Sequence, residues 1–242
     1  GLPVIVLAPV NAADCYTLTA QAFNLAEKFR CPVFIASNKE IAMTRESVDL
    51  DALQIPSLMN RAAPPAGKPF LPFQANSEQG VPDFLPIGGN LPVRQTSSTH
   101  GPNGYITTDQ REIARILLRL KNKLEAAVET FSFYELLSAD ESDTLIIAYG
   151  VTARAAESVY QELKSAGQTV RLLILKTLWP VPENVIRRAA ENKKRVVVVE
   201  MNLGQYVREI ERILGEKKVD FCGQMDGWLI SPDKIKEAVK NG

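Results

Sequence analysis

Residues 143–205 constrain the fold most. They read DTLIIAYGVTARAAESVYQELKSAGQTVRLLILKTLWPVPENVIRRAAENKKRVVVVEMNLGQ, with three apolar runs, Leu145–Tyr149, Val170–Leu175 and Val196–Val199, separated by two stretches of helical periodicity. None of the runs alternates polar with apolar residues, so each is expected to be a strand buried on both faces. Strands of that kind belong to a parallel sheet covered by helices, an α/β domain. Open parallel sheets place their sites at the carboxyl ends of the strands, which draws attention to the polar residues there.

The rest of the chain divides around this stretch. Residues 1–51 read as one β-α-β unit: a strand at Val4–Leu7, a helix with Leu18, Ala22, Leu25 and Phe29 on one face and Asn11 or Asp14 as N-cap, and a second buried strand at Val33–Ala36. Two strands and a helix leave sheet edges and faces uncovered, so another chain, or a segment preceding Gly1, is expected to complete this unit. Residues 52–108 hold nine of the fifteen prolines and show no periodicity, but Phe70, Phe73, Phe84 and Leu85 supply anchors. They read as an extended arm packed over a partner or over the other domain, with a partly disordered connection as the alternative.

Residues 109–242 open on a helix started by Asp109 and Glu112, with Ile113, Leu117, Leu120, Leu124, Val128 and Phe131 forming an apolar stripe. The strand–helix alternation follows, then a short strand near Val219–Cys222 and a last helix with Ser231 as N-cap and Pro232 as N1.

Lysine plus arginine and aspartate plus glutamate both number 28, a balance that argues against nucleic acid or an anionic membrane as the main partner. No run of eighteen apolar residues predicts a membrane span, and GLPVIVLAPV lacks the basic leader of a signal peptide. Cys15, Cys31 and Cys222 are odd in number and far apart, which suits reduced thiols in a cytoplasmic protein rather than a zinc or iron–sulfur set.

Four polar clusters follow strands. Gly150-Val-Thr-Ala-Arg permits a tight turn, with Thr152 expected to cap a helix starting at Ala153, a position open in principle to an anion; a plain strand-to-helix turn is the favoured reading. In Lys176-Thr-Leu-Trp-Pro-Val-Pro, Trp179 is expected to pack in the core or an interface and Pro182 to occupy N1 of a helix. Glu200, Asn202, Gly204 and Gln205 form a denser group, either a binding or subunit contact, or a solvated Glu200 beside an Asn202 helix cap. Ser37, Asn38, Glu40, Met43 and Thr44 could border a site, while Lys39, Glu40 and Arg45 are by default surface charges. His100 is the only histidine and reads as a loop residue with a local hydrogen bond; no glycine-rich phosphate motif and no G-x-S-x-G is present.

Several segments resemble the alpha subunit of 2-oxoacid:ferredoxin oxidoreductases. Leu7-Ala-Pro, Ala22-Phe-Asn-Leu-Ala-Glu-Lys, Cys31-Pro-Val-Phe-Ile-Ala-Ser-Asn-Lys-Glu and Met43-Thr-Arg-Glu look like the end of its pyrimidine-binding domain. Thr99-His-Gly-Pro-Asn-Gly-Tyr resembles the connector that follows. Tyr149-Gly-Val-Thr-Ala-Arg, Leu178-Trp-Pro-Val-Pro and Glu200-Met-Asn-Leu-Gly-Gln resemble its transketolase C-terminal-like domain.

The resemblance implies a fold, a parallel-sheet α/β domain of transketolase C-terminal type preceded by the last β-α-β unit of a thiamine diphosphate pyrimidine-type domain. It also implies a reaction, oxidative decarboxylation of a 2-oxoacid to an acyl-CoA with reduction of ferredoxin. Thiamine diphosphate with Mg2+ would lie at the interface with a beta subunit that carries the iron–sulfur cluster, and coenzyme A would be cosubstrate, within a hetero-oligomer. Ser37, Asn38, Glu40, Met43 and Thr44 would border the cofactor; Gly150, Thr152, Arg154, Glu200, Asn202, Gly204 and Gln205 would serve binding or interface roles; no metal ligand is assigned. Asp49-Leu-Asp favours 2-oxoglutarate over pyruvate.

The family's activating glutamate and substrate-facing threonine and arginine would lie before Gly1, and cluster-binding cysteines are absent, so the chain alone is expected to be inactive. A non-catalytic assembly module is the alternative; a nucleotide-binding Rossmann domain is disfavoured by the missing glycine fingerprint.

Overall fold

Strict both-face burial is what the three apolar runs achieve. In the computed structural model, which describes residues 3–61, 63, 64, 67, 70–89, 91, 93–138 and 142–240, they form β4 (Thr144–Tyr149), β5 (Arg171–Leu175) and β7 (Arg195–Glu200). Ile146, Ala148, Leu172, Ile174, Val197 and Val199 face one core, against α4 (Thr152–Ser165) and α7 (Pro232–Lys240). Leu145, Ile147, Leu173, Leu175, Val196 and Val198 face the other, against α5 (Glu183–Ala189) and α6 (Val207–Leu214). Each such aliphatic side chain taken from water contributes about 1.5–3 kcal/mol, so polar alternation would be costly on either face.

The sheet has the order β3-β5-β4-β7-β8, where β3 is Tyr134–Leu137 and β8 is Lys218–Gly223. The β4–β5, β4–β7 and β7–β8 pairs are parallel; β3 adds an antiparallel edge, a departure from the purely parallel sheet expected.

A second sheet has the order β2-β1-β6, with β1 at Ile5–Leu7, β2 at Val33–Ile35 and β6 at Thr177–Trp179. The parallel β1–β2 pair and α1 (Ala12–Phe29) make the expected β-α-β unit, and Asn11 is the N-cap, accepting from the Asp14 N–H at 2.8 Å. Two expectations fail here. The second edge of β1 is not left open: β6, from the far part of the chain, pairs with it antiparallel. And β2 is not buried, since Phe34 is 55% exposed at the free edge.

The arm packs back on its own chain. Arg30, which ends α1 in a left-handed conformation, donates from Nη1 to the carbonyls of Pro72 (3.0 Å), Pro82 (3.1 Å) and Asp83 (2.9 Å). Asn24 donates to Ser57 O at 2.9 Å and accepts from Met59 N at 2.8 Å. His100 does hydrogen-bond locally, to Ser98 O at 3.0 Å, and its ring lies 4.1 Å from that of Phe73.

After the arm, α2 having been a single short helix at Lys39–Met43, α3 spans Gln110–Glu125 with Asp109 as N-cap. Val128 and Phe131 lie beyond it in a 3-10 turn, so the expected stripe breaks at its end. Leu117 is 53% exposed, and the helix buries Arg119, Lys123 and Leu124 instead. The Lys123 ammonium caps the C-terminus of α1, donating to Phe29 O at 2.5 Å and Arg30 O at 3.4 Å.

Burial is the chief reason the Lys123 ammonium is held down to about 8; Cys31 opposes it, and Arg119 and Arg30 add repulsion. The native lysine therefore loses its proton before an unfolded one does, at 10.5. Between those values the unfolded chain binds more protons, so this group's contribution to stability increases as pH rises through that window. Urea unfolding of the native chain and of Lys123→Met from pH 7 to 10 should show the native chain gaining relative to the variant as pH rises; a constant difference contradicts this.

Candidate functional site at the junction of the two sheets

The carboxyl ends of the strands meet where the two sheets join, and most of the polar residues singled out in the sequence collect there. Gly150 turns the chain from β4 into α4 at φ +57°, and a Cβ there would collide with Asn38 Oδ1. That oxygen accepts from the Val151 N–H at 2.9 Å. The start of α4, open in principle to an anion, is thus filled by an amide from the loop after β2.

Thr152 does not cap the helix as expected. It lies inside the first turn, and its buried hydroxyl donates back to Tyr149 O (2.7 Å) and Val199 O (3.2 Å), tying β4 to β7. Arg154 pairs with Glu46 at 2.5 Å, and Glu46 also accepts from the Ala12 N–H at 2.8 Å. These groups edge an open cleft of about 910 Å³ that also carries Asp49 and Glu157.

Deeper in the junction, Lys176 donates to Asp14 at 2.6 Å and to Glu135, and Asp14 accepts from the Val10 N–H at 3.1 Å. Burial alone would lower the Lys176 ammonium, but the hydrogen bonds and charges of Asp14 and Glu135 together outweigh it and hold the group above its ordinary value. Lys176 is therefore a fixed cation rather than a base.

The Glu200 cluster reverses the expected roles. Glu200 is not a solvated strand end: it is fully buried, and its carboxylate accepts from the Tyr206 N–H (3.1 Å), the Val207 N–H (2.9 Å), the Tyr149 hydroxyl (2.7 Å) and Asn202 Nδ2 (2.7 Å). Glu200 is what caps α6, and a carboxylate suits that end of the helix dipole. Asn202 closes its own turn, accepting from Gly204 N at 2.8 Å and Gln205 N at 3.3 Å, while Gln205 Oε1 accepts from Leu203 N at 3.0 Å.

Burial, reinforced by Glu200, raises the Tyr149 phenol; burial, with Glu209 and Glu200, raises Tyr206. Both remain neutral donors. Pro182 is the N-cap of α5 rather than N1, and Trp179 is half exposed on β6 rather than packed in the core.

The loop after β2 is open. Ser37 and Thr44 are exposed, Met43 is 75% exposed, and Glu40 serves α2 through its carbonyl, which accepts from Thr44. The junction therefore offers a densely hydrogen-bonded platform beside an exposed rim suited to contact. Asp14, Glu46, Tyr149 and Lys176 escaped the reading of the sequence as site residues; the buried residue type of Asp14 within an otherwise apolar helix face is the one local signal for it.

Removing the Glu200 carboxylate leaves two helix N–H groups, a phenol and an amide without their acceptor. Glu200→Ala is expected to cost about 3 kcal/mol and to lower the melting temperature by roughly 5–10 °C. Gly150→Ala, which adds left-handed strain and displaces Asn38, is expected to cost about 1–2 kcal/mol. Thermal unfolding checks both, and variants that melt with the native chain would show these contacts to be dispensable.

With this geometry in view, the chain matches known proteins along most of its length. The family model described as "Pyruvate flavodoxin/ferredoxin oxidoreductase, thiamine diP-bdg" matches residues 1–118, and "Pyruvate:ferredoxin oxidoreductase core domain II" matches residues 142–235. The 2-oxoglutarate synthase subunit KorA of Methanothermobacter thermautotrophicus is 30% identical over 235 residues, covering 96% of this chain and 62% of that protein. The 2-oxoacid:ferredoxin oxidoreductase subunit alpha of Saccharolobus solfataricus is 22% identical, covering 98% and 39%.

The chain thus spans less than two thirds of the length of these relatives. Among solved structures, the 2-oxoglutarate:ferredoxin oxidoreductase from Magnetococcus marinus with 2-oxoglutarate, coenzyme A and succinyl-CoA bound shares the fold at a TM-score of 0.87 and 23% identity, over 99% of this chain and 42% of that one. A split-gene transketolase, an inactive beta4 tetramer, shares it more loosely, at 0.50 and 14% identity over 98% and 56%. The two sheets, the thiamine diphosphate-binding match on the first and the core-domain match on the second, make this chain a member of the 2-oxoacid:ferredoxin oxidoreductase alpha-subunit family.

Proposed function

We propose that the chain works as part of the alpha subunit of a thiamine diphosphate-dependent 2-oxoacid:ferredoxin oxidoreductase, converting a 2-oxoacid, 2-oxoglutarate by preference, to its acyl-CoA with reduction of ferredoxin. The observation that carries this reading is the succession of the two family matches across one polar junction, held by Asn38, Gly150, Arg154 and Glu46. In this reading residues 1–51 are the end of the pyrimidine-binding domain, 52–108 the connector and 109–242 the transketolase C-terminal-like domain.

The residues present suit one side of the cofactor and not the other. Among the described residues no three His, Cys, Asp or Glu stand together as metal ligands; in this reading Mg2+, the diphosphate and an iron–sulfur cluster are held by a beta subunit. The exposed rim of Ser37, Met43 and Thr44, backed by the fixed Asn38 and by Glu40, fits a wall against the pyrimidine side. Thiamine diphosphate, when bound there, supplies the electron sink that 2-oxoacid decarboxylation needs. This chain's residues would position and exclude water: Met43 offers apolar surface, Ser37 and Thr44 offer hydroxyls, and Asn38 keeps the loop in place.

Gly150, Thr152, Arg154, Glu200, Asn202, Gly204 and Gln205 belong in this reading to the support and subunit contact rather than to the chemistry. In this reading the complex is a cytoplasmic hetero-oligomer; among the described residues no helix is long and apolar enough to cross a membrane. A non-catalytic assembly role is the second reading, favoured by the exposed Phe221, Met225 and Trp228 at the β8 end of the sheet.

The test is a viologen-reduction assay with coenzyme A on the purified chain and on the complex containing it. The chain alone should be inactive, and the complex should turn over 2-oxoglutarate with a higher kcat/KM than pyruvate. Met43→Glu in the complex should lower turnover by about tenfold or more without changing the melting temperature, since each 1.4 kcal/mol of lost positioning is a factor of ten. Turnover by the chain alone, or a complex indifferent to 2-oxoacids, overturns the reading.

A further inference from the structure

On the far side of the first unit from this junction, the arm, the end of α1 and one face of α3 enclose a cavity of about 450 Å³, within the range of small-molecule sites. Its charged lining is one-sided: among the described residues Arg30, Arg115 and Arg119 line it together with His100, and no aspartate or glutamate does. Lys123 lies buried one turn of α3 beyond Arg119.

Neither Arg30 nor Arg119 has a carboxylate within ion-pair distance among the described residues. The hydrogen bonds that Arg30 makes from Nη1 and the one from Arg119 Nη1 to Gly80 O (3.1 Å) all go to backbone carbonyls, which hold the side chains without neutralising them; of the carboxylates, Asp83 acts on Arg30 only from beyond ion-pair distance. Arg115 reaches only Glu112, at 4.0 Å. Burial first, and then the charges of Arg115 and Arg30, lower the guanidinium of Arg119. Clustered, partly desolvated cations with spare N–H groups are what a multivalent anion is bound by, and guanidinium forks match phosphate oxygens in pairs.

The uncharged lining adds the rest of a ligand's outline. Thr96, Ser97, Ser98 and Thr99, all hydroxyl-bearing, line it in succession. Phe73, Ile116, Leu117 and Leu120 add apolar lining, which accounts for Leu117, one of the two exposed leucines of α3.

We propose that this cavity is a binding site for an organic phosphate of nucleoside diphosphate type, its phosphates on Arg30, Arg115, Arg119 and the Thr96–Thr99 hydroxyls and its ring against Phe73 and the α3 leucines. The site stands on a different face from the cofactor rim and does not depend on the proposed reaction. Because Arg30 and Arg119 also tie down the arm, an occupant there also stabilises the connection between the two units.

Calorimetric titration of the full chain with ADP and with inorganic pyrophosphate tests it. ADP should bind saturably, more tightly than pyrophosphate, and at least tenfold more weakly in 0.5 M salt than in 0.05 M. Arg115, exposed and not used to hold the arm, gives the clean variant: Arg115→Gln should weaken ADP at least fivefold at an unchanged melting temperature, and Arg119→Met should weaken it further where it folds. Leu117→Asp should weaken ADP while leaving pyrophosphate binding unchanged or lower. Failure of ADP to bind at millimolar concentration overturns the proposal, as does binding untouched by Arg115→Gln. Pyrophosphate binding as tightly as ADP overturns the assignment of a ring to the apolar wall.

Discussion

The rest of the structure depends on a lysine that is shut between two sheets. Lys176 ends β5 and leads directly into β6, so its position decides where one sheet stops and the other gains its third strand. Its carbonyl accepts from Ala8 N at 2.7 Å, its N–H donates to Phe133 O at 2.9 Å, and its ammonium holds Asp14. Taking the lysine away leaves the Asp14 carboxylate buried without its cation, a cost of several kcal/mol, while taking Asp14 away leaves the ammonium with Glu135 alone. Around that pair the chain has little freedom. Thr177, fully buried, donates to Phe131 O at 2.6 Å and accepts from Phe133 N at 2.9 Å, so the 3-10 turn after α3 is fixed by the same short segment.

A junction of this kind suppresses reactivity in its buried polar groups while keeping their geometry. Glu200 has its carboxylate shared among four donors, the two phenols that surround it stay protonated, and Lys176 stays charged. Groups so fully engaged are positioned for rigidity, which suits the second side of the proposed cofactor site.

β4, β5 and β7 were legible because burial on both faces leaves no room for alternation, β3 at the exposed edge was not, and the helix starts at Asn11, Asp109 and Ser231 were legible because N-caps are written locally. The junction was not. Asn38 and Val151 are 113 residues apart, and Asp14 and Lys176 are 162 apart, so neither pairing leaves a local mark. β6 is three residues long and carries no apolar periodicity, which is why the β-α-β unit looked open on the side that β6 covers. Glu200 reads as a solvated strand end for the same kind of reason: a carboxylate after a strand says nothing of the helix that will fold over it. The exposed Ser37–Thr44 rim was nearer the surface of the sequence, since it rests on the general placement of sites at strand ends.

The amide of Asn38 in the mouth of α4 has a consequence for the exchange of segments. A helix start sealed by a side chain from another unit makes two segments answer for one hydrogen bond, and the glycine that admits that side chain is on the other segment again. Such parts work only as a matched set. A chain in which only one of them was exchanged would carry either an orphaned N–H or a Cβ against the amide, so the seam between the two sheets, loose in sequence, is the place where distant segments must agree.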